Sequence, residues 1–238
     1  MSKFDRLSLA ILVARKGSKG LPGKNTKVMN GKPLIQWTIE QALRSRGIGR
    51  VVVSSDDEQV LSIARSLSCE TVNRPSELAN DETPVSEAIS HALDELDIKD
   101  SDFNSIVLLE PTSPLRPAGF IDSCLTKFLS NPSFKSAVSV AKVEGQHPDF
   151  SMSLEVDGTV NSLVGESLLH KRRQDLEPIY FLEGSLYATT AANFREHNAM
   201  YGVDTLGIIV EKWQSFEVDD MDDFTVVEAL MREHINEL

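Results

Sequence analysis

Four cations and three glycines crowd into one short stretch, Ala14-Arg-Lys-Gly-Ser-Lys-Gly-Leu-Pro-Gly-Lys-Asn25. These residue types suit a polyphosphate. Arg15, Lys16, Lys19 and Lys24 supply fixed charge, while Gly17, Gly20 and Gly23 let the backbone take positive φ and approach a ligand without Cβ interference. The stretch is not a Walker A loop: five residues rather than four separate Gly17 from Gly23, and Asn25 follows Lys24 where a Ser or Thr would hold Mg²⁺. Gly-x-Gly-x-x-Gly is absent as well, so an anion-binding turn of another type is expected.

Polar groups gather at three further places. Arg74 precedes Pro75, Glu110 runs into the rigid turn Pro111-Thr-Ser-Pro-Leu-Arg116, and Ser215-Phe-Glu-Val-Asp-Asp-Met-Asp-Asp-Phe224 alternates acids with apolar residues. A second small basic cluster is Lys171-Arg-Arg173.

The elements that must position these groups follow from periodicity. Residues 9–13 are a continuous apolar run, expected as a parallel strand buried on both faces, with the glycine loop at its carboxyl end. Apolar spacing after Pro33 predicts a helix, and residues 50–57 a second strand ending in Asp56 and Asp57, for which a helix N-cap role is favoured over metal binding. A short strand ends at Arg74, Thr83 and Pro84 are expected as N-cap and first-turn proline of the next helix, and residues 105–110 form another buried strand. A helix over 120–129 and a strand over 136–142 continue the alternation. Such a pattern implies an α/β fold with a mostly parallel sheet and helices on both faces. Between about residues 144 and 183 the pattern breaks into short segments punctuated by His147-Pro148, Asp157-Gly158 and Glu177-Pro178, an antiparallel excursion. Strand 184–189, helix 191–197, buried strand 206–210 and a final helix from Phe224 complete the chain. The expected division is residues 1–143 with 184–238 as a nucleotide-binding α/β unit, and 144–183 as an arm.

Composition narrows the function. With 238 residues, 41% hydrophobic and 25% charged, the chain can bury a substantial core. A net charge of −12 argues against nucleic acid or an anionic membrane as partner, which makes the local basic segment informative. A solvated basic face is the plainer alternative for that segment. Cys69 and Cys124 lack metal-ligand spacing and are expected as reduced core thiols of a cytoplasmic protein. No signal peptide or membrane span is expected.

The glycine loop, Gly31-Lys-Pro-Leu34, Ser54-Ser-Asp-Asp57, Arg74-Pro-Ser-Glu-Leu-Ala79, Pro111-Thr-Ser-Pro-Leu-Arg116 and Glu217-Val-Asp219, in this order, resemble the acylneuraminate cytidylyltransferases, or CMP-sialic acid synthetases, over nearly the whole chain. Ser18-Lys19-Gly20 is similar to the sialic and legionaminic acid branch. The resemblance implies a Rossmann-like sheet and transfer of CMP from CTP to the anomeric hydroxyl of a nine-carbon 2-keto sugar acid, with Mg²⁺ and a homodimer. It implies that Arg15, Ser18, Lys19, Gly20 and Lys24 hold the triphosphate, Arg15 and Lys19 acting in catalysis, and that Asn25 and Arg74 bind the nucleoside. Glu217 and Asp219 would be the metal ligands, hard carboxylates two apart on a strand and so facing one side. A solvated acidic turn remains the alternative, and Asp222 and Asp223 read better as first-turn acids of the last helix.

Sugar recognition is where the chain departs from the family. Gln is common where Glu110 stands, Asn where Glu183 stands, and Asp where Glu217 stands. Glu110 is therefore expected to accept hydrogen bonds from the sugar's hydroxyl or acylamino groups, or to pair with Arg116 or a cation of the excursion, and the favoured sugar to differ from N-acetylneuraminate. Tyr187 is either a sugar contact or a buried strand residue. Among Lys171, Arg172 and Arg173, a cation would reach a partner's sugar carboxylate, or the cluster is a solvated turn. Two other readings stay open: cytidylyl transfer to an octulosonate or another unusual 2-keto sugar acid, and a catalytically silent nucleotide-binding subunit.

Overall fold

The computed structural model describes residues 7–100, 102–163 and 172–238. Strand β1 (Ser8–Ala14) is followed by a hairpin of β2 (Val28–Met29) and β3 (Lys32–Pro33), helix α1 (Leu34–Arg44), β4 (Ile48–Ser55), α2 (Glu58–Ser66) and β5 (Glu70–Asn73). Then come α3 (Val85–Glu95), β6 (Ser105–Leu108), α4 (Phe120–Ser130) and β7 (Ser136–Lys142). After a hairpin of β8 (Met152–Leu154) and β9 (Val160–Ser162), the chain ends with β10 (Tyr180–Thr190), α5 (Ala191–His197), β11 (Thr205–Ile209) and α6 (Met221–Glu233).

Seven strands form the central sheet in the order β11-β7-β10-β6-β1-β4-β5. Only β10 runs antiparallel to its neighbours. The strand order reverses at β1: the chain moves outward through β4 and β5, then returns across β1 to lay down β6. A crevice therefore opens at the carboxyl ends of β1 and β6, where α/β sheets take ligands.

Residues of β1 alternate between two cores, which is why its sequence is apolar throughout. Ala10, Leu12 and Ala14 pack with Ile35 and Ile39 of α1, Val60 of α2 and Phe128 of α4. Leu9 and Ile11 pack on the other face with Ile89 and Leu93 of α3 and Phe194 of α5. A third cluster gathers distant segments under the glycine loop: Leu21 of that loop, Leu115 of the turn after β6, Val218, and Phe224, Val227 and Met231 of α6. Cys69 and Cys124 are buried free thiols, and burial pushes Cys69 up to about 11 and Cys124 up to about 12. Among the described residues no helix is long and apolar enough to cross a membrane.

The structure corrects several boundaries. Of the three loop glycines only Gly23 takes positive φ (68°). The final helix starts at Met221 rather than Phe224, because Asp220 caps it by accepting from the Asp222 and Asp223 N–H groups, both at 2.9 Å. The acidic segment before it is therefore not a strand: Lys212–Ser215 is a 3₁₀ turn and the cap follows directly. Pro84 sits at the N-cap of α3 with no side-chain cap, and the Thr83 hydroxyl turns back to Asn80 and Glu77. β11 is an edge strand with Ile209 exposed, not a buried one. The chain rejoins the sheet at Tyr180, before residue 184, and the excursion holds the separate β8–β9 hairpin. The Asn30-Gly31 turn of the β2–β3 hairpin, with both residues at positive φ, carried a sequence signal that periodicity passed over.

Candidate active site

The loops following β1, β5 and β6 and the segment before α6 meet at the crevice. A cleft of about 400 Å³ is lined by Arg15, Ser18, Lys19, Gly20, Lys24 and Asn25 on one wall, with Glu110, Pro111 and Thr112 on the floor and Asp219 at the mouth. Eight of the residues expected from sequence thus share one cavity.

Close packing builds this wall. A Cβ on Gly20 would collide with the Asp219 carbonyl oxygen, so glycine is required there by contact rather than by φ. Lys24 closes the same seam: its Nζ donates to the Val218 carbonyl at 2.7 Å and lies 3.1 Å from Asp219 Oδ1. The Val218 N–H in turn donates to the Thr112 carbonyl at 2.8 Å. Asn25 is buried, with Nδ2 donating to the Arg15 carbonyl at 3.3 Å, and Gly23 starts the 3₁₀ turn that aims Lys24 inward. Asp219 is 81% exposed and is the one acid of its run facing the cleft, since Asp220 and Asp223 serve the cap.

Sequence reasoning passed over Asp81. It lies between Arg74 and α3, and its carboxylate pairs with both Arg15 and Lys19. Those two cations hold its carboxyl below the usual range, Lys19 the more strongly. A carboxylate thus engages the two cations assigned to a phosphate; nothing in the local sequence distinguishes it from the other acids near α3.

Asp57 caps α2 through the Gln59 N–H at 2.9 Å, whereas Asp56 accepts from the Lys16 N–H at 2.9 Å and lies 3.6 Å from Arg74. Arg74 is 5% exposed and does not line the cleft, yet its Nε and one Nη carry no hydrogen bond. Burial lowers its pKa. The unbonded Nη is the one 3.6 Å from Asp56, so that carboxylate is the nearest partner of a guanidinium closed off from solvent.

The carboxylates behave differently from one another. Glu110 is raised to about 7, first by burial and then by the charge of Glu217. Glu217 accepts from the Gly184 N–H and is likewise raised by burial. It lies behind the floor and does not share an exposed face with Asp219. Glu183 is buried, with Oε2 accepting from the Ser185 N–H at 3.0 Å and Oε1 unpartnered, and it too lies outside the cleft lining.

Arg116 is 1% exposed and does not reach the cleft. Its N–H groups go to the Glu110, Gly184 and Ser185 carbonyls and to Thr38 and Gln41, so its pairing with Glu110 is to the backbone rather than the carboxylate. Tyr187 stacks on Tyr201 at 5.9 Å and packs against the second core; burial raises its hydroxyl. Arg172 is exposed, and Lys171 and the Arg173 side chain lie outside the described residues.

Comparisons with known proteins agree with this geometry. The cytidylyltransferase family profile matches residues 9–208. The CMP-N,N'-diacetyllegionaminic acid synthase of Legionella pneumophila is 34% identical over 231 residues, covering 94% of this chain and 95% of that protein. The N-acylneuraminate cytidylyltransferase of Escherichia coli O18:K1:H7 is 31% identical over 216 residues, covering 91% of this chain but 50% of the longer relative. Among solved structures, CMP:2-keto-3-deoxy-manno-octonic acid synthetase complexed with CTP aligns at a TM-score of 0.68 and 16% identity, covering 96% of this chain and 99% of that one, a likeness of fold. With its cation-lined cleft at the β1–β6 switch point and this match along most of its length, the chain belongs to the cytidylyltransferase family of nucleotidyltransferases.

Proposed function

We propose that the protein transfers CMP from CTP to the anomeric hydroxyl of a nine-carbon 2-keto sugar acid of the sialic or legionaminic type. The observation carrying this reading is the convergence of Arg15, Ser18, Lys19, Lys24 and Asn25 on one cleft whose floor is Glu110 and whose mouth is Asp219. The names of the relatives, a legionaminic and an acylneuraminate cytidylyltransferase, point to the same acceptor class.

The acceptor oxygen attacks the α-phosphorus, the bond to the β-phosphate oxygen breaks, pyrophosphate leaves, and the hydroxyl proton passes to solvent. Charge builds on the α-phosphoryl oxygens and the departing pyrophosphate, so the chain's work is positioning and charge stabilisation. Arg15, Lys19 and Lys24 supply the cations, and Arg15 and Lys19 exchange Asp81 for phosphate as CTP enters. Arg74 and Asn25 fix the nucleoside. A hard carboxylate at the cleft mouth, Asp219, suits Mg²⁺, which needs only one or two protein carboxylates beside phosphate oxygens. Asp219 would hold it, with Glu217 joining only if its carboxylate leaves the Gly184 N–H, and the ion would neutralise the phosphates.

Glu110 lines the cleft, which supports its reading the acceptor sugar. Arg116, Glu183 and Tyr187 support that floor from behind rather than touching the sugar. Exposed Leu154, Val156, Val160, Tyr180, Phe181 and Leu182 on the excursion and the start of β10 favour a homodimer through this arm, with Arg172 and Arg173 carried toward the neighbour. The free buried thiols fit a cytoplasmic setting.

The test is pyrophosphate release with CTP, Mg²⁺ and a panel of 2-keto sugar acids, followed by the mass of the nucleotide sugar. Turnover of a nonulosonate, abolished by EDTA and restored by Mg²⁺, is the expected result. CTP binding without turnover of any acid would sink the reading, and Glu110→Gln with unchanged sugar preference would remove Glu110 from recognition.

A further inference from the structure

A guanidinium is buried directly behind the cleft floor, and all five of its N–H groups are used. Arg116 Nε donates to the Ser185 carbonyl at 2.6 Å, Nη2 to the carbonyls of Glu110 at 2.7 Å and Gly184 at 3.2 Å, and Nη1 to Thr38 Oγ1 at 3.0 Å and Gln41 Oε1 at 3.2 Å. Three of those acceptors are backbone: Glu110 just past the end of β6, and Gly184 and Ser185 in the middle of β10, where its pairing is irregular. The β6–β10 ladder pairs Leu108 with Tyr187, and between Leu182 and Tyr187 the β10 register against β7 shifts. Beyond the ladder, the Glu110 N–H reaches the Gly184 carbonyl at 3.3 Å.

Gly184 matters because it touches both functional carboxylates. Its N–H donates to Glu217 Oε1, and a Cβ there would meet Glu110 Oε2 at 2.5 Å and collide with Ser113 Oγ. A displacement of β10 at Gly184 by a fraction of an ångström would therefore move Glu217 and Glu110 together. We propose that Arg116 is the positioning residue of the site: by bridging the Glu110, Gly184 and Ser185 carbonyls it sets the spacing between the end of β6 and the irregular middle of β10, and through the Gly184 N–H the placement of Glu217. This rests on the cytidylyl-transfer reading for its kinetic readout only.

A plainer role is countercharge, since Arg116 balances the buried carboxylates of Glu183, Glu110 and Glu217. The two roles separate experimentally. Arg116→Lys keeps the charge but presents three donors on one atom, which cannot span the five acceptors. It is expected to unfold cooperatively, to bind CTP within about threefold of the parent, because Arg116 makes no contact with the phosphate wall, and to lose about 10- to 100-fold in kcat. Arg116→Met should unfold at lower temperature; adding Glu183→Gln should restore Tm but not kcat. The Gly184 amide proton, held downfield by its carboxylate bond, gives a readout independent of turnover and should move upfield in Arg116→Lys. A wild-type kcat or an unmoved Gly184 resonance in Arg116→Lys overturns the proposal. Recovery of kcat together with Tm in Arg116→Met/Glu183→Gln overturns it too, leaving countercharge alone. If the parent turns over no sugar acid, the transfer reading fails, while the Gly184 resonance still decides the role of Arg116.

Discussion

Replacing Glu110 with Gln is expected to stabilise the ligand-free protein at alkaline pH and to change it little near pH 5. The folded carboxyl titrates at about 7 against an ordinary value of 4.5, because it is buried and faces the Glu217 carboxylate. A folded value above the unfolded one means the native state holds the proton more tightly. Ionisation therefore costs stability as pH rises from about 4.5 to 7, and the cost is level above that. At 1.36 kcal/mol per pKa unit, the full difference is about 3 kcal/mol at pH 8.5 and under about 1 kcal/mol at pH 5. For a chain of this size, 3 kcal/mol moves Tm by roughly 6–12 °C. The assay is thermal unfolding of both proteins from pH 5 to 9 without ligand. Curves that run parallel, or a variant less stable than the parent at pH 8.5, would refute the view that the Glu110 charge at the cleft floor costs more in burial and repulsion than Arg116 returns.

Two further outcomes follow from the phosphate wall. Gly20→Ala drives a methyl into the Asp219 carbonyl, so calorimetric titration should show CTP affinity reduced by about tenfold or more; parent-like binding would show that this close approach is dispensable. Asp81→Asn releases Arg15 and Lys19 from an exposed anion and should tighten CTP binding by about two- to fivefold at low salt, an advantage that fades as ionic strength rises. Weaker binding would mean that Asp81 orients the two cations instead of competing for them.

The parts of this site legible in the sequence are those whose signal is local. Gly20, Lys24 and Asn25 stand within one loop after an apolar strand, so strand period and residue type locate them together. Helices α1 and α4 were readable because apolar spacing is likewise a local signal. Arg116 was legible only as a cation near a strand tip: whether a side chain points into a cleft or behind it depends on Thr38 and Gln41 of α1, which no periodicity connects to it. Asp81 escaped notice because its partners lie more than sixty residues away. The acids from 217 to 223 looked like a strand because alternation is shared by strands and by capping boxes whose acids bond their own backbone. β10 starts early because Tyr180, Phe181 and Leu182 pair with β7 although they stay exposed on the other face, so no inward-outward pattern marked them.

The seam between the glycine loop and the segment before α6 also bears on how the protein is made. Leu21, Gly20 and Lys24 lean on Val218 and Asp219, contacts nearly two hundred residues apart in a chain of 238. A ribosome that has released the central sheet has still not released the far wall of the phosphate site. Products cut short before Asp219 lack the far wall of the cleft and are expected to bind CTP more weakly than the full chain.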